Sequence, residues 1–203
     1  MKKKKFLVLG HPRSGTGFTA ELLRQFGYNV GHESMGVDGI SSWMFAVDEY
    51  QVFIDPKIRR PDFDFDYIIM CVRNPVDMIS SVYYTENLSP FSLNFRKKYV
   101  NLDGLNNIEV AVKSVLEWYR LIELQRPHLK LRIDRDPELK LHAFLKRFVN
   151  PQTAPIPKLG KVNTRKHNEL SLEVIIEHCN PALREELEVF CHLYEYRLSF
   201  NRQ

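Results

Sequence analysis

The sequence has 203 residues, a length that suits one sizeable domain and is short for two. Apolar residues make up 44% of it and charged residues 27%, which argues against a disordered chain, a collagen-like chain or a coiled coil. The 29 lysine and arginine residues exceed the 25 aspartate and glutamate residues by four, and the lysines at positions 2–5 account for that excess. The rest of the chain is balanced in charge, so we expect no broad nucleic-acid-binding surface.

Membrane spans and secretory leaders are not indicated. The apolar runs at residues 6–9 and 67–72 are far below the ~18 residues that a spanning helix needs. The basic start is followed by too short an apolar stretch for a signal peptide. Cys71, Cys179 and Cys191 have neither disulfide-framework nor metal-site spacing. We therefore expect a cytoplasmic protein with no membrane span and no metal site.

Two apolar segments in the first half of the chain predict buried parallel strands, and a helix is expected after each. Residues 6–9 form a compact run behind a solvated lead-in at residues 2–5. The apolar residues within 16–26 recur at the spacing of one helix face, and the predicted helix ends at Gly27. The strand at 67–72 precedes Asn74 and Pro75, which suit the cap and first turn of a helix at 75–85. Further predictions are an extended piece at 28–30, a helix at 40–50 and a loop at 59–62.

The second half of the chain predicts mostly helix. The predicted elements are a surface excursion or lid at 89–107, an amphipathic helix at 108–125, a strand at 129–133, a helix at 137–148, a long basic loop at 150–168, and helices starting near Ser171 and at Pro181 behind Asn180. Strands that alternate with helices indicate a single α/β domain, residues 1–203, with a central, mostly parallel sheet flanked by helices.

The segment after the first strand carries the features of an anion-binding loop. A strand, a glycine-rich turn and a helix start at Thr16 would aim backbone N–H groups at an anion. Gly15 and Gly17 allow close approach, Ser14 and Thr16 add hydroxyl groups, and Arg13 adds a permanent planar charge. A plain connecting turn is the alternative. No Gly-Lys-Ser/Thr triplet closes the loop, so it is not the phosphate loop of an ATPase.

A second candidate anion site follows the strand at 67–72. Arg73 stands at the strand end, and Ser81 lies eight residues later, about two helical turns into the next helix. In the alternative, Arg73 pairs with an acidic neighbour and Ser81 is ordinary helix surface. Two anion sites at neighbouring strand ends would suit a ligand that is charged at both ends.

The segments Pro12-Arg13-Ser14-Gly15-Thr16 and Arg73-Asn74-Pro75 with Ser81 resemble those of the sulfotransferases, which use 3′-phosphoadenosine 5′-phosphosulfate (PAPS) as a co-substrate. With arginine in its first loop, the sequence is similar to the bacterial and tyrosylprotein-sulfotransferase branch, although Gly17 replaces a threonine often found there. The resemblance implies a three-layer, P-loop-like fold. It implies a 5′-phosphosulfate site at the residues from Arg13 to Phe18, a 3′-phosphate site at Arg73 and Ser81, and a closing basic loop that contributes Lys161 and Arg165.

The same resemblance implies transfer of a sulfuryl group to a hydroxyl or amine of a small-molecule, carbohydrate or lipid acceptor, with no metal required. Arg13 would stabilise the transferring group. Glu33 is the candidate general base, because related enzymes place a glutamate similarly, and His32 is the alternative. Glu33 could instead stabilise the turn that follows it. Two other functions stay open: a P-loop kinase-like protein and a non-catalytic nucleotide-binding module.

Overall fold

The computed structural model describes residues 1–47, 57–149, 155–160 and 168–197. Its contacts divide the chain into two units, the first formed by Met1–Arg73 with Leu121–Arg165 and the second by Asn74–Arg120 with Lys166–Gln203. The prediction of one domain over residues 1–203 stays a prediction.

The first unit is built on a five-stranded sheet in which every strand is parallel to its neighbours. The strands are β1 (Lys2–Leu9), β2 (Val30–His32), β3 (Gly39–Ser41), β4 (Phe63–Val72) and β5 (Leu129–Arg132). Their order across the sheet is β2-β3-β1-β4-β5. The central β1 places Phe6 opposite Gly39 of β3 and Tyr67 of β4. The predicted α/β class with a parallel sheet is confirmed, and it is consistent with a three-layer, P-loop-like fold.

The described residues also form seven α-helices. They are α1 (Thr16–Gln25), α2 (Pro75–Ser81), α3 (Pro90–Lys97), α4 (Asn107–Leu124), α5 (Pro137–Phe148), α6 (Leu172–His178) and α7 (Pro181–Leu193). The helices predicted from residues 16, 75, 108, 137, 171 and 181 therefore begin within one residue of the predicted positions. The helix predicted at 75–85 ends as an α-helix at Ser81, and Val82–Glu86 continue it as a π-helix. Among the described helices, none has the length and apolar composition needed to cross a membrane.

The core of the first unit combines one face of the sheet with α1 and α5. Phe6 and Val8 of β1 share this core with Leu22 and Leu23 of α1 and with Leu141 of α5. These side chains are fully removed from solvent, and each contributes roughly 1.5–3 kcal/mol by burial. The apolar period of α1 thus fixes the helix against β1 and holds the loop between them.

The second unit packs its helices around aromatic side chains. Trp118 and Tyr119 of α4 are buried, and their rings contact Phe95 of α3 and Phe190 of α7 at centroid distances of 5.8 and 5.1 Å. Asn74, Ser89, Ser171 and Asn180 cap α2, α3, α6 and α7 through side-chain oxygens that accept backbone N–H groups. The predicted caps at Asn74 and Asn180 are confirmed.

The lysines at 2–5 are not a lead-in: they form the first half of β1. Their partner is the alternating segment Phe63-Asp64-Phe65-Asp66 of β4, which extends the predicted strand at its start. Lys3 Nζ lies 2.9 Å from Asp66 Oδ1, and Lys4 Nζ donates to the carbonyl oxygens of Gly36 and Val37. Charged side chains can occupy a strand when their heads reach solvent or acceptors, and the hydropathy pattern does not reveal this.

The helix predicted at 40–50 is wrong over its described part. Gly39–Ser41 is β3, and a short 3₁₀ helix follows at Trp43–Ala46. A three-residue strand carries too little periodicity to be told from a helix start. Residues 48–50 lie outside the described residues.

The surface excursion predicted at 89–107 is also wrong, because α3 lies within it and carries a buried arginine. Arg96 donates to Ser92 O, Ser114 Oγ, Glu86 O and Asn87 Oδ1 at 2.7–3.2 Å. The four acceptors satisfy the guanidinium, which is why an arginine is tolerated in the interior.

Candidate functional site

The candidate site lies where β1 and β4 end, at the switch point of the sheet. The chain leaves β1 towards β2 on one side of the sheet and leaves β4 towards β5 on the other. Adjacent parallel strands with diverging connections open a crevice beyond their carboxyl ends, where ligands of such sheets bind. The loop that starts at Gly10 and the segment that starts at Arg73 both begin at this edge.

The backbone of the first loop alternates between negative and positive φ. Arg13 has a φ of 75° and Gly15 a φ of 96°, whereas Ser14 is not among the positive-φ residues. Such alternation curls successive peptide units into a nest, a concave arrangement of N–H groups that binds anions. This left-handed conformation is unusual for a residue with a long side chain, and at Arg13 it costs about 1–2 kcal/mol.

Helix α1 begins from this nest with an N-terminus that lacks a side-chain cap. Gly15 is the N-cap residue, it offers no side chain, and the first turn contains no acidic residue. The positive end of the helix dipole is therefore not neutralised by its own first turn. A Cβ on Gly15 would lie 2.4 Å from Ile133 Cδ1, so both the positive φ and the close packing favour glycine.

The side-chain hydroxyl of Ser14 is a further feature of this loop that suits an anion. Ser14 is fully buried, and its hydroxyl oxygen has no hydrogen-bond partner in the described part of the chain. A Cβ on Gly10 would lie 2.1 Å from that oxygen, so the hydroxyl occupies the space directly over Gly10. A buried hydroxyl without a partner costs about 1–3 kcal/mol. The loop thus contains a hydroxyl donor that its own surroundings leave unused, and the residues present fit a bound sulfate or phosphate group.

Arg73 lies beside the first loop, as the sequence predicted for the two strand ends. Its Nη1 donates to the carbonyl oxygen of Arg13 at 3.3 Å. Next to this edge, Arg132 ends β5 and its Nη2 lies 3.2 Å from Asp134 Oδ2. The sequence did not single out Arg132, because an arginine at the end of a short alternating strand is common.

Glu33 stands at the carboxyl end of β2, on the same edge of the sheet. Its side chain is only 8% exposed, and its φ is 54°. Ser42 Oγ donates to its Oε2 at 2.6 Å, and the Trp43 N–H donates to its Oε1 at 3.3 Å. Burial raises the pKa of Glu33 to about 7, although both hydrogen bonds oppose the rise. Ser42 N also donates to Val8 O at 3.0 Å, which ties this carboxyl group to the end of β1.

The carboxyl group of Glu33 has a structural role as well. It accepts from the first N–H of the 3₁₀ helix at Trp43–Ala46, whose cap residue is Ser42. This contact corresponds to the alternative in which Glu33 stabilises the turn that follows. A proton-accepting role is compatible with it, because each carboxylate oxygen has a second lone pair.

His32, the alternative base, faces the start of α1. Its Nε2 lies 3.5 Å from Thr16 Oγ1. Burial, followed by the charge of Arg24, lowers the pKa of His32 below its ordinary value and so favours the neutral ring.

Ser81, Lys161 and Arg165 are the remaining residues that the sequence predicted for the site. Ser81 ends α2 in the second unit and is fully buried, and its carbonyl oxygen accepts from Thr85 Oγ1 at 2.6 Å. Lys161 and Arg165 are outside the described residues. Phosphate binding by these three residues stays a prediction.

Sequence reasoning missed two residues that shape the site, His11 and Ser42. His11 is buried in the first loop with its Nδ1 2.8 Å from Pro12 O, and Ser42 holds Glu33. A serine before an apolar run is a cap signal that could have indicated Ser42. Within the described ranges, no three His, Cys, Asp or Glu side chains are grouped so that they could hold a metal ion.

Searches with protein-family models and against curated protein sequences give no match for this chain. The ends of β1, β2 and β4 therefore carry the chemistry from which a function can be inferred.

Proposed function

We propose that the protein is a sulfotransferase that uses PAPS as the sulfuryl donor and a hydroxyl or amine of a small-molecule, carbohydrate or lipid as the acceptor. The observation that carries this proposal is a pairing at one sheet edge. The β1–α1 loop forms an anion nest beside Arg73, and β2 ends in a buried carboxyl group whose pKa is about 7.

The loop supports binding of a donor that carries an anionic group. The N-terminus of α1 and the alternating backbone supply N–H groups, and the Ser14 hydroxyl lies nearby without a partner in the described residues. The Arg13 guanidinium can form a charge-assisted, two-pronged contact with an oxyanion. PAPS bound here would supply the sulfuryl group. Arg13 and the loop N–H groups would stabilise the charge that develops between donor and acceptor.

Metal assistance is less necessary for this chemistry than for phosphoryl transfer. A sulfuryl group carries one negative charge fewer than a phosphoryl group, so fixed positive charges can neutralise it. The sequence also has no Gly-Lys-Ser/Thr triplet after β1, the segment that supplies the lysine and the Mg²⁺-holding hydroxyl in ATPases. These features favour sulfuryl transfer over a kinase-like activity.

Glu33 has the properties of a general base. A carboxyl group with a pKa of about 7 is partly ionised at neutral pH and accepts a proton more readily than an ordinary carboxylate. Ser42 and the Trp43 N–H fix its orientation. His32 remains the second candidate, with its Nε2 next to Thr16.

Ligand-induced stabilisation tests the proposal. We expect adenosine 3′,5′-bisphosphate to raise the unfolding temperature, with about 2.7 kcal/mol of stabilisation at a hundred times its Kd. ATP with Mg²⁺ serves as the comparison. Stabilisation by ATP with Mg²⁺ alone would contradict the proposal and favour a kinase-like protein.

Turnover separates an enzyme from a non-catalytic nucleotide-binding module. Incubation with ³⁵S-labelled PAPS and a panel of hydroxyl and amine acceptors should transfer label to at least one acceptor class. An Arg73→Ala variant should weaken bisphosphate binding, whereas Arg147→Ala on α5 is the matched control. Bisphosphate binding without transfer to any acceptor would favour the module.

The three cysteines of the chain are buried free thiols, and we expect the enzyme to work in the cytoplasm.

A further inference from the structure

We propose that His11 is a positioning residue for the anion loop: its imidazole holds the Pro12–Arg13 peptide in the orientation that keeps Arg13 at positive φ. The inference rests on the proposed function for the identity of the ligand only. The conformational role concerns the loop itself.

The hydrogen bond of His11 fixes both its tautomer and its target. Nδ1 lies 2.8 Å from the carbonyl oxygen of Pro12, and His11 is fully buried. A carbonyl oxygen can only accept, so Nδ1 carries the hydrogen and donates it. The ring therefore restrains the central peptide of the turn from inside the loop.

The Pro12–Arg13 peptide is the central peptide of a β-turn. Ser14 N donates to His11 O at 3.0 Å, Pro12 occupies the second position, and Arg13 occupies the third with a φ of 75°. This is the pattern of a type II turn, which differs from type I by a rotation of the central peptide. Proline at the second position suits both types, and the third position of type II favours glycine. Arginine there favours type I, so a further contact must select type II, and the His11 hydrogen bond does so.

The turn type decides whether the nest exists. In type I, Arg13 would take a negative φ, and the alternation that runs from Arg13 through Gly15 would lose its first member. A loop that spends most of its time in the wrong form binds its anion more weakly, in proportion to the competent fraction. Removal of the His11 donor should therefore weaken anion binding without removing any group that contacts the ligand.

Two amide substitutions form a matched pair for the test. The side-chain nitrogen of asparagine is the same number of bonds from Cα as His Nδ1, whereas that of glutamine is as far as His Nε2. We expect His11→Asn to keep the Kd for adenosine 3′,5′-bisphosphate within about threefold of the wild type. His11→Gln and His11→Leu should weaken it about fivefold or more. Equal weakening in all three variants, or none in any, would overturn the proposal.

Crystal structures of the unliganded proteins give a second readout that needs no ligand. The φ of Arg13 should be positive in the wild type and in His11→Asn, and negative in His11→Gln or His11→Leu. A positive φ in both of the last two variants would overturn the role of His11. If the bisphosphate does not bind even the wild type, the proposed function fails, while the φ comparison still decides the role of His11. If the leucine variant does not fold, the asparagine and glutamine variants carry both measurements.

Discussion

The raised pKa that would suit Glu33 to act as a base also lowers the free energy of unfolding at neutral pH. Its carboxyl group is buried at the end of β2, and its pKa is about 7 in the folded protein, against 4.5 for the ordinary group. The folded state thus holds the proton more tightly than the unfolded state between these two values. The free energy of unfolding contributed by this group is highest below pH 4.5, falls as the pH rises to about 7, and is constant above that.

The pH dependence of stability tests this assignment. Between pH 4.5 and 7 the wild type should lose roughly 3 kcal/mol relative to Glu33→Gln, whose side chain does not ionise. The Ser42 hydroxyl can donate to the glutamine carbonyl or accept from its amide, so the variant should fold. Urea unfolding at pH 5 and pH 8 measures the difference. Parallel curves for the two proteins would show that Glu33 titrates as an ordinary carboxyl group.

Activity provides the second consequence of Glu33. Glu33→Gln should abolish sulfuryl transfer and leave the affinity for adenosine 3′,5′-bisphosphate within about twofold of the wild type, because the proposed base does not hold the nucleotide. In the wild type the rate should rise with pH through about 7 as the carboxyl group ionises. Near-wild-type turnover in Glu33→Gln would remove Glu33 from the mechanism.

Arg13 offers a test in which ligand binding should weaken while the stability of the fold stays nearly unchanged. Arg13→Gly removes the guanidinium and places glycine at a φ of 75°, where glycine is unstrained. We expect bisphosphate affinity to fall at least about tenfold, from the loss of a charge-assisted contact. The free energy of unfolding should change by less than about 1 kcal/mol, because relief of strain offsets the added backbone entropy.

Arg126→Gly is the matched control for that experiment. Arg126 also has a positive φ, 54°, and it lies in the exposed turn that precedes β5 at the opposite end of the strand. Its substitution should have a similar effect on stability and none on affinity. Isothermal titration and urea unfolding of both variants make the comparison, and unchanged affinity in Arg13→Gly would contradict the proposed role of Arg13.

Helix α3 depends on a residue type that hydropathy assigns to the surface. Arg96→Met should lower the free energy of unfolding by about 3 kcal/mol or more, since four acceptors would lose their donor in the interior. Lys97→Met, one residue later on the exposed side of the helix, should change it by less than about 1 kcal/mol. Trp118, whose ring centroid is 5.8 Å from that of Phe95 on α3, reports the transition by fluorescence. Equal effects of the two substitutions would contradict the interior role of Arg96.

Helix α3 shows why some elements could be predicted from the sequence and others could not. Loops and caps such as Gly15, Gly27, Asn74 and Asn180 follow from local backbone chemistry, and the structure has them where the sequence predicts them. The α3 segment was missed because its burial depends on acceptors distant in sequence, such as Ser114 Oγ. The Lys2–Leu9 strand was shortened for the same reason, since its lysines find partners in β4 and in the segment that joins β2 to β3.

The residues of the candidate site also differ in whether the sequence alone could predict them. Arg13 and Arg73 could be predicted because Arg13 lies in the glycine-rich turn after β1 and Arg73 directly follows β4. The order of a parallel sheet then brings the strand ends to one edge. Glu33 came from the resemblance, and its raised pKa depends on burial that only the fold reveals. The supporting residues His11 and Ser42 were missed because a hydrogen bond from a side chain to a particular backbone or carboxyl oxygen leaves no pattern in a sequence.

The chain's two tryptophans report separately on the two units, since Trp43 belongs to the first and Trp118 to the second. The boundary between the units falls within α4, which runs without interruption from Asn107 to Leu124. A continuous helix loses its hydrogen bonds cooperatively, so unfolding of one unit should remove part of an element that the other needs.

We therefore expect the two units to unfold in one transition. In Trp43→Phe and in Trp118→Phe, the urea midpoint from the remaining tryptophan should equal the midpoint from far-UV circular dichroism measured on the same variant. Comparison within each variant removes any effect of the substitution itself on stability. Saturating adenosine 3′,5′-bisphosphate should then raise both fluorescence midpoints, although the proposed loop lies in the first unit alone. A midpoint for Trp118 that stays unchanged by the nucleotide while that of Trp43 rises would show two independently folding units and would contradict the prediction of a single domain.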